Sequence, residues 1–65
     1  MRIDTLKIEM ILAERELTKT AFANICGISR QNISTIVRRG TCEPKTAQKL
    51  AKGLGVNITE IAKED

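Results

Sequence analysis

Six of the seven residues in the segment SRQNIST, residues 29–35, carry side chains that form hydrogen bonds. The amides of Gln31 and Asn32 can each form two hydrogen bonds with adenine, and the guanidinium of Arg30 can do the same with guanine. The hydroxyl of Ser29 can bond with either base, and the methyl group of Thr35 suits the methyl group of thymine. These five residues are candidates for reading base edges in the DNA major groove. The alternative for each residue taken singly is a solvated helix face.

The charge pattern around this segment favours a polyanionic partner. The chain has a net charge of +3 and a pI near 9.2. The 26 residues between Glu16 and Glu43 contain no acid, although the chain has eight acids. The same tract contains four basic side chains, those of Lys19, Arg30, Arg38 and Arg39. One misplaced carboxylate would repel phosphate, so an acid-free tract suits a surface that faces nucleic acid. Chance in a short chain is the alternative.

Length and composition predict one small helical domain. A chain of 65 residues is near the lower limit for folding on a single apolar core, so residues 1–65 are expected to form one domain. With one Phe and no Trp or Tyr, that core must be aliphatic. No apolar run is long enough to span a membrane, and the start, MRIDTLKIEM, does not resemble a signal peptide. We expect a cytoplasmic, nucleoid-associated protein that has no membrane contact.

Residues that support catalysis or metal binding are scarce in this chain. It has two cysteines and no histidine, so Cys26 and Cys42 cannot complete a four-ligand zinc site. In the cytoplasm we expect both thiols to stay reduced, Cys26 as a small buried residue and Cys42 in a loop. The chain also lacks a paired nucleophile and base. We therefore expect no enzymatic activity, no cofactor, no metal and no small-molecule ligand.

Caps and apolar spacing predict five helices and no strand, and so an all-α fold. The predicted helices cover residues 4–15, 19–26, 30–38, 44–54 and 59–63. The predicted first residues or N-caps are Asp4, Thr18, Ser29 and Pro44, and the predicted stops are Gly27, Gly40 and Gly55. The residues predicted to face the core are Ile8, Ile11, Leu12, Phe22, Ile25, Cys26, Ile33, Ile36, Val37, Ala47, Leu50, Ala51, Leu54, Ile58 and Ile61.

The spacing within residues 19–38 is typical of a helix-turn-helix. Two helices joined by a short turn cross steeply, at about 90–120°. Such a crossing needs a small side chain where the backbones approach, which Ala23 supplies, and a residue that tolerates positive φ at the corner, which Gly27 supplies. Apolar residues stand at the positions that fasten the two helices together, namely Phe22, Cys26, Ile28, Ile33 and Ile36. An ordinary helical hairpin is the alternative.

These residues resemble the Cro/cI-type helix-turn-helix family of small phage repressors and bacterial regulators. The matching segments are LTKTAFANICGISRQNISTI, then RRG, then EPKTAQKLAKGLGVNITEI. The resemblance implies a compact five-helix, lambda-repressor-like domain whose recognition helix, residues 30–38, enters the major groove. It also implies base reading by the positions that match Ser29, Arg30, Gln31 and Thr35. This chain departs from the family pattern in having Lys19 where Gln is usual. The stretch from Gly27 to Gly40 is also one residue longer than the common form, with VRRG where an acidic residue, one polar residue and Gly are usual.

Contacts with the DNA backbone are expected at both ends of the recognition helix. Lys19 begins the preceding helix, whose N-terminal dipole also favours phosphate. Arg38 and Arg39 flank the far end, and either could meet the backbone. The whole predicted phosphate-binding set is Thr18, Lys19, Ser34, Arg38, Arg39, Thr41 and Lys45. The other lysines of the last two helices, Lys49, Lys52 and Lys63, are interpreted as solvated surface residues.

The function that these patterns favour is sequence-specific binding of a double-stranded DNA operator by a small transcriptional regulator, with repression the favoured mode. Its stand-alone size resembles that of regulators from phages and mobile elements. Related proteins act as homodimers on pseudo-palindromic sites. A dimer here would use Ile3, Leu6 and Met10, or the last helix, unless these residues only close the core. A different class of function remains open, that of an antitoxin or adaptor which holds a protein partner.

Overall fold

The computed structural model describes residues 1–63 and contains five α-helices in that range. They are α1 (Thr5–Glu14), α2 (Lys19–Cys26), α3 (Arg30–Arg39), α4 (Pro44–Leu54) and α5 (Ile58–Ile61). Residues 1–63 contain no named strand, so the predicted all-α class is confirmed. Helix α3 runs one residue further than predicted, and α5 lies at 58–61 instead of 59–63. Glu64 and Asp65, at the end of the predicted domain, lie outside the described residues.

Side-chain caps begin the helices where the sequence predicts them. Oxygens of Asp4, Thr18 and Ser29 each accept a hydrogen bond from the backbone N–H three residues later, at 3.0–3.1 Å. At α5 the cap is Asn57, whose N–H donates to the side chain of Glu60, and this capping box makes α5 start earlier than predicted. The caps satisfy backbone donors that a helix start leaves without an intrahelical partner.

Left-handed residues end the first four helices. Gly27, Gly40 and Gly55 have φ of 71–72°, which confirms their predicted role. Helix α1 ends at Glu14, and the left-handed residue that follows its C-cap is Glu16, with φ of 55°, a conformation that costs a residue bearing a Cβ about 1 kcal/mol or more. The N–H of Leu17 donates to Leu12 O at 2.9 Å and closes this helix end. The chain therefore turns sharply enough to bring α2 back against the core.

The core is aliphatic around a single buried phenylalanine, Phe22. Its buried members are Ile3, Ile8, Ile11, Leu12, Phe22, Ala23, Ile33, Ala47, Leu50, Ala51, Leu54 and Ile61. Cys26, Ile36, Val37 and Ile58 are partly buried against this cluster. The prediction for Ile25 is wrong, because its side chain is 56% exposed. Phe22 and Ala23 are the buried residues of α2, and Ile25 lies at the edge of this buried face.

Helices α2 and α4 approach each other closely at Gly53, the last residue but one of α4. A Cβ at this position would lie 2.5 Å from Cys26 Sγ and 3.2 Å from Phe22 Cε1. Contacts that short are not tolerated between packed atoms, so the two helices need glycine here. Gly53 is therefore a second small residue at a helix crossing, beside Ala23, although glycine is unfavourable inside a helix.

An extended N-terminal segment closes one side of the domain. Ile3 N–H donates to Gly40 O at 2.9 Å, and Asp4 N–H donates to Ile61 O at 2.7 Å. Isolated antiparallel bridges pair Arg2 with Thr41 and Ile3 with Ala62. Ile3 is only 2% exposed, so it closes the core and is not available as a dimer contact. Periodicity did not predict this segment because its pairing is entirely long-range.

Gly53→Ala should lower the free energy of unfolding by roughly 1 kcal/mol or more. Overpacking costs about 1–3 kcal/mol, which exceeds the gain of about 1 kcal/mol in helix propensity. Thermal unfolding followed by circular dichroism measures the loss, and Lys52→Ala at the neighbouring exposed position is the matched control. The loss should shrink in a Cys26→Ala background, since the nearest clashing atom is then absent. Equal losses in both backgrounds would contradict the proposed close approach.

Candidate nucleic-acid interface

Helix α3 is anchored on one face and open on the other. Ile33 is buried, and Ile36 and Val37 are half-buried against the core. These three positions follow i, i+3, i+4 spacing, so the remaining side chains must project away from the core. Of the five predicted base-reading residues, four are exposed, namely Ser29, Arg30, Gln31 and Asn32, and Thr35 is half-buried. The structure thus leaves the amino-terminal half of α3 accessible.

Internal hydrogen bonds restrict what two of these hydroxyls can do. Ser29 Oγ accepts from Asn32 N–H at 3.1 Å, so its hydroxyl proton is the part left for another partner. Thr35 Oγ1 donates to Gln31 O at 3.0 Å, one turn earlier in the helix. The hydroxyl of Thr35 is therefore occupied, and its methyl group is the better group for contact with a base.

The five predicted base-reading residues lie on two different sides of α3. Ser29, Asn32 and Thr35 line a cleft of about 500 Å³ between α3 and the start of α4. Arg30 and Gln31 do not line this cleft. The opposite wall of the cleft includes residues that the sequence did not mark as functional, namely Cys42, Glu43, Thr46 and Lys49. Their position in this wall depends on how α4 packs against α3. The only local sequence signal of this position is the i, i+3 spacing of Thr46 and Lys49.

Glu43 is the one acid beside this predicted base-reading surface among the cleft-lining residues. It is exposed and stands at the N-cap of α4, but its side chain makes no capping hydrogen bond. A carboxylate can accept from the amino group of cytosine, whereas it repels phosphate. Glu43 therefore makes this wall of the cleft unfavourable for a phosphate group.

All seven predicted phosphate-binding residues are exposed. Thr18 and Lys19 lie at the start of α2, where Thr18 Oγ1 accepts from Ala21 N–H at 3.1 Å and keeps its proton for an acceptor. Arg38, Arg39 and Thr41 lie together at the carboxyl end of α3. Ser34 is on α3 between the two groups, and Lys45 is in the first turn of α4. Each of these side chains is therefore accessible from solvent, as its predicted role requires.

Lys19 has a partner within the chain. Its Nζ lies 3.6 Å from Glu9 Oε1 of α1, and the two side chains are 43% and 49% exposed. An ion pair this exposed is worth about 0–1 kcal/mol, so a phosphate can replace the carboxylate at small cost. Glu9 is therefore a competitor for the lysine that the sequence places at the DNA backbone.

The two thiols lie in packed surroundings rather than in an activating site. Burial raises the pKa of Cys26, and burial also raises the pKa of Cys42, against the opposing effect of the N-terminal ammonium. Both residues are free cysteines that stay protonated at neutral pH, which makes them weak nucleophiles. Residues 1–63 contain no group of three or more acidic, Cys or His side chains placed to hold a metal ion.

Comparison with known families agrees with this arrangement. Residues 7–63 match the model of the Cro/C1-type HTH DNA-binding domain. Because the match spans most of the 65 residues, the chain belongs to this family of DNA-binding domains, and the predicted resemblance is confirmed. No curated protein and no solved structure matches the chain. None of the helices in residues 1–63 has the length and apolar character needed to cross a membrane.

Glu9→Ala should raise the affinity for any duplex DNA at low salt, by up to about fivefold, because it releases Lys19 from an ion pair worth at most about 1 kcal/mol. Fluorescence anisotropy with a labelled duplex measures the change. Glu14→Ala, elsewhere on α1, is the control for the loss of one negative charge. If both variants gain the same affinity for duplex DNA, Glu9 acts only through net charge and does not compete with phosphate for Lys19.

Proposed function

We propose that this protein is a small transcriptional regulator, acting as a repressor, that binds a double-stranded operator in a sequence-specific way. The observation that carries the proposal is the accessible amino-terminal half of α3, which presents base-matching side chains. Cationic residues flank both ends of this helix, and residues 17–42 contain no acid. Repression then follows from occupying an operator, a function that requires no catalytic group and takes place on DNA in the cytoplasm.

In this proposal α3 lies in the major groove, which is about 12 Å wide and admits an α-helix. Gln31 and Arg30 are exposed on the side of α3 outside the cleft, where paired hydrogen bonds with adenine and guanine are sterically open. Asn32 and the methyl group of Thr35 would meet neighbouring bases from the cleft side. Ser29 contributes its remaining hydroxyl proton at the end of the helix that enters most deeply.

Backbone contacts fix the register of the helix in the groove. Thr18 and Lys19 would bind one phosphate group at the start of α2, where the helix dipole also attracts anions. Arg38, Arg39 and Thr41 would bind the backbone near the other end of α3, with Ser34 and Lys45 as further contacts. These contacts carry no sequence information, so they support specific and non-specific binding alike.

Gln31→Ala should weaken binding to the specific site by about 1–3 kcal/mol and leave non-specific binding nearly unchanged, because the amide forms its paired hydrogen bonds only with the matching base. Arg39→Ala should weaken both kinds of binding and lower the slope of log affinity against log salt concentration by about 1. Titrations of an operator and a scrambled duplex at several salt concentrations measure both effects. If the affinity of the Gln31→Ala variant falls equally for both duplexes, Gln31 does not belong to the base-reading set.

A homodimer is the proposed form on DNA. Leu6 and Met10 are 66% and 60% exposed, and they stand at i, i+4 on α1, which places them side by side. Two copies of this apolar face would remove it from water and pair two recognition helices on a pseudo-palindromic site. The same face, with the exposed Ile25 elsewhere on the domain, favours a second candidate function, that of a module which holds a protein partner.

Leu6→Glu should abolish self-association, because it places a charge in the face that two copies share. Sedimentation velocity of the wild type and the variant, over a range of concentrations, measures the change. Lys7→Glu, at the adjacent exposed position of α1, is the matched control and should still associate. A wild type that sediments as a monomer at every concentration, with or without operator, would contradict the dimer.

A further inference from the structure

The exposed face of α1 carries an apolar stripe made of Leu6, Met10 and Ala13. Leu6 and Met10 are 66% and 60% exposed, and Ala13 is exposed as well. At about 100° of rotation per residue, these three side chains lie within about 60° of one another around the helix. The buried residues of α1 occupy the opposite side, so the whole stripe faces solvent.

Charged residues flank this stripe on both sides. Lys7 and Glu14 lie on one flank, about 20° apart around the helix and about 10 Å apart along it, and Glu9 lies on the other flank. Glu9 pairs with Lys19 at 3.6 Å, whereas Lys7 and Glu14 make no ion pair with any of residues 1–63. The first flank therefore carries one charge of each sign that has no ionic partner in the described part of the chain.

This face of α1 is complementary to itself in an antiparallel arrangement. A two-fold axis that passes beside Met10 reverses the direction of the second helix and keeps matching flanks on the same side. Lys7 is three residues before Met10, and Glu14 is four residues after it. Lys7 therefore falls within about 1.5 Å, along the helix axis, of Glu14 in the second copy. By the same count Leu6 packs against Ala13 of the second copy.

A parallel arrangement of two α1 helices uses the charges less well. It brings opposite flanks together, so Lys7 would meet Glu9 of the second copy and Glu14 would meet no cation. Glu9 already has Lys19 as its partner. In the antiparallel arrangement the two Glu9 side chains lie opposite each other, and the adjacent Lys19 of each copy reduces their repulsion. Charge complementarity therefore favours the antiparallel dimer.

We propose that a second copy of this chain covers the α1 stripe in an antiparallel two-fold dimer, held in register by reciprocal ion pairs between Lys7 and Glu14. The inference rests on the proposed homodimer and adds its orientation and its register. The contact uses one helix about 15 Å long, so it is smaller than a standard interface, which buries about 1,600 Å². The free protein therefore associates weakly, and an operator with two half-sites strengthens the dimer by holding two copies close together.

The first test compares Glu14→Gln with Glu9→Gln, which removes the same charge from the other flank of α1. Sedimentation velocity over a range of protein concentrations gives the dissociation constant of the dimer. Glu14→Gln should raise this constant by about three- to 25-fold, because the two-fold axis repeats an ion pair that is worth up to about fivefold. Glu9→Gln should not raise it, because it removes a contact between like charges.

A charge swap tests the ion pair itself. Glu14→Lys places two cations opposite each other at both ends of the dimer, so it should weaken self-association more than Glu14→Gln does. The double variant Lys7→Glu/Glu14→Lys restores opposite charges and should return the dissociation constant to within about threefold of the wild-type value. Circular dichroism melting shows that each variant is folded. If the double variant associates no better than Glu14→Lys, the ion pair is overturned.

Disulfide trapping tests the orientation of the helices. The variants Leu6→Cys and Ala13→Cys are oxidised separately and as a mixture, and the wild type, with its two native cysteines, shows the background. In the antiparallel dimer identical positions lie about 9–12 Å apart along the axis, too far for a disulfide, so only the mixture should cross-link above the background. Cross-linking of the Leu6→Cys variant with itself would overturn the antiparallel arrangement.

The outcomes separate this inference from the proposed function. If the wild type associates but Glu9→Gln weakens the dimer as much as Glu14→Gln, the register is overturned while the homodimer stands. If the wild type remains a monomer at every concentration, with or without operator, the homodimer fails first and its register fails with it. The α1 stripe would then be free for a different protein, while binding of DNA by the monomer would stand.

Discussion

The three residues between α2 and α3 set the constraint on which the rest of the structure depends. Within residues 27–29 the chain must end one helix and begin another at a steep angle. Gly27 makes this possible with a left-handed φ of 71°, and Ile28 N–H donates back to Ala23 O at 3.1 Å. Ser29 then caps α3 through Asn32 N–H. A bulkier or less flexible turn would rotate α3 relative to α2 and so change the direction of its exposed face.

With this turn in place, burial and charge differ from one part of α3 to another. Ile33 is almost fully buried and therefore fixes how closely α3 packs against the core. The polar amino-terminal half stays accessible, and cationic groups lie near both ends. The interactions that compete with DNA are weak, as the exposed pair of Lys19 and Glu9 illustrates. The core therefore holds α3 in place, whereas the exposed Lys19–Glu9 pair can exchange partners at small cost.

Local patterns predict most of the helices, because caps, glycine stops and apolar spacing act over a few residues. They fail where the deciding contact is distant in sequence. Ile25 fits the apolar stripe of α2, but the packing of α4 covers Phe22 and Ala23 and leaves Ile25 56% exposed. The pairing of the N-terminal segment with residues 40–42 and 61–63 has no periodicity at all. The predicted base-reading residues follow from spacing, whereas the cleft beside Glu43 depends on tertiary packing.

Selection from a random duplex library at near-physiological salt, followed by sequencing, tests the central claim most directly. The claim is that exposed side chains in the amino-terminal half of α3 read a defined base sequence. We expect enrichment of a pseudo-palindrome with half-sites about one helical turn apart, since two recognition helices would occupy successive major grooves on one face of DNA. Recovery of unselected sequences, with only weak and salt-sensitive binding, would contradict the claim and favour a protein partner for the exposed apolar face.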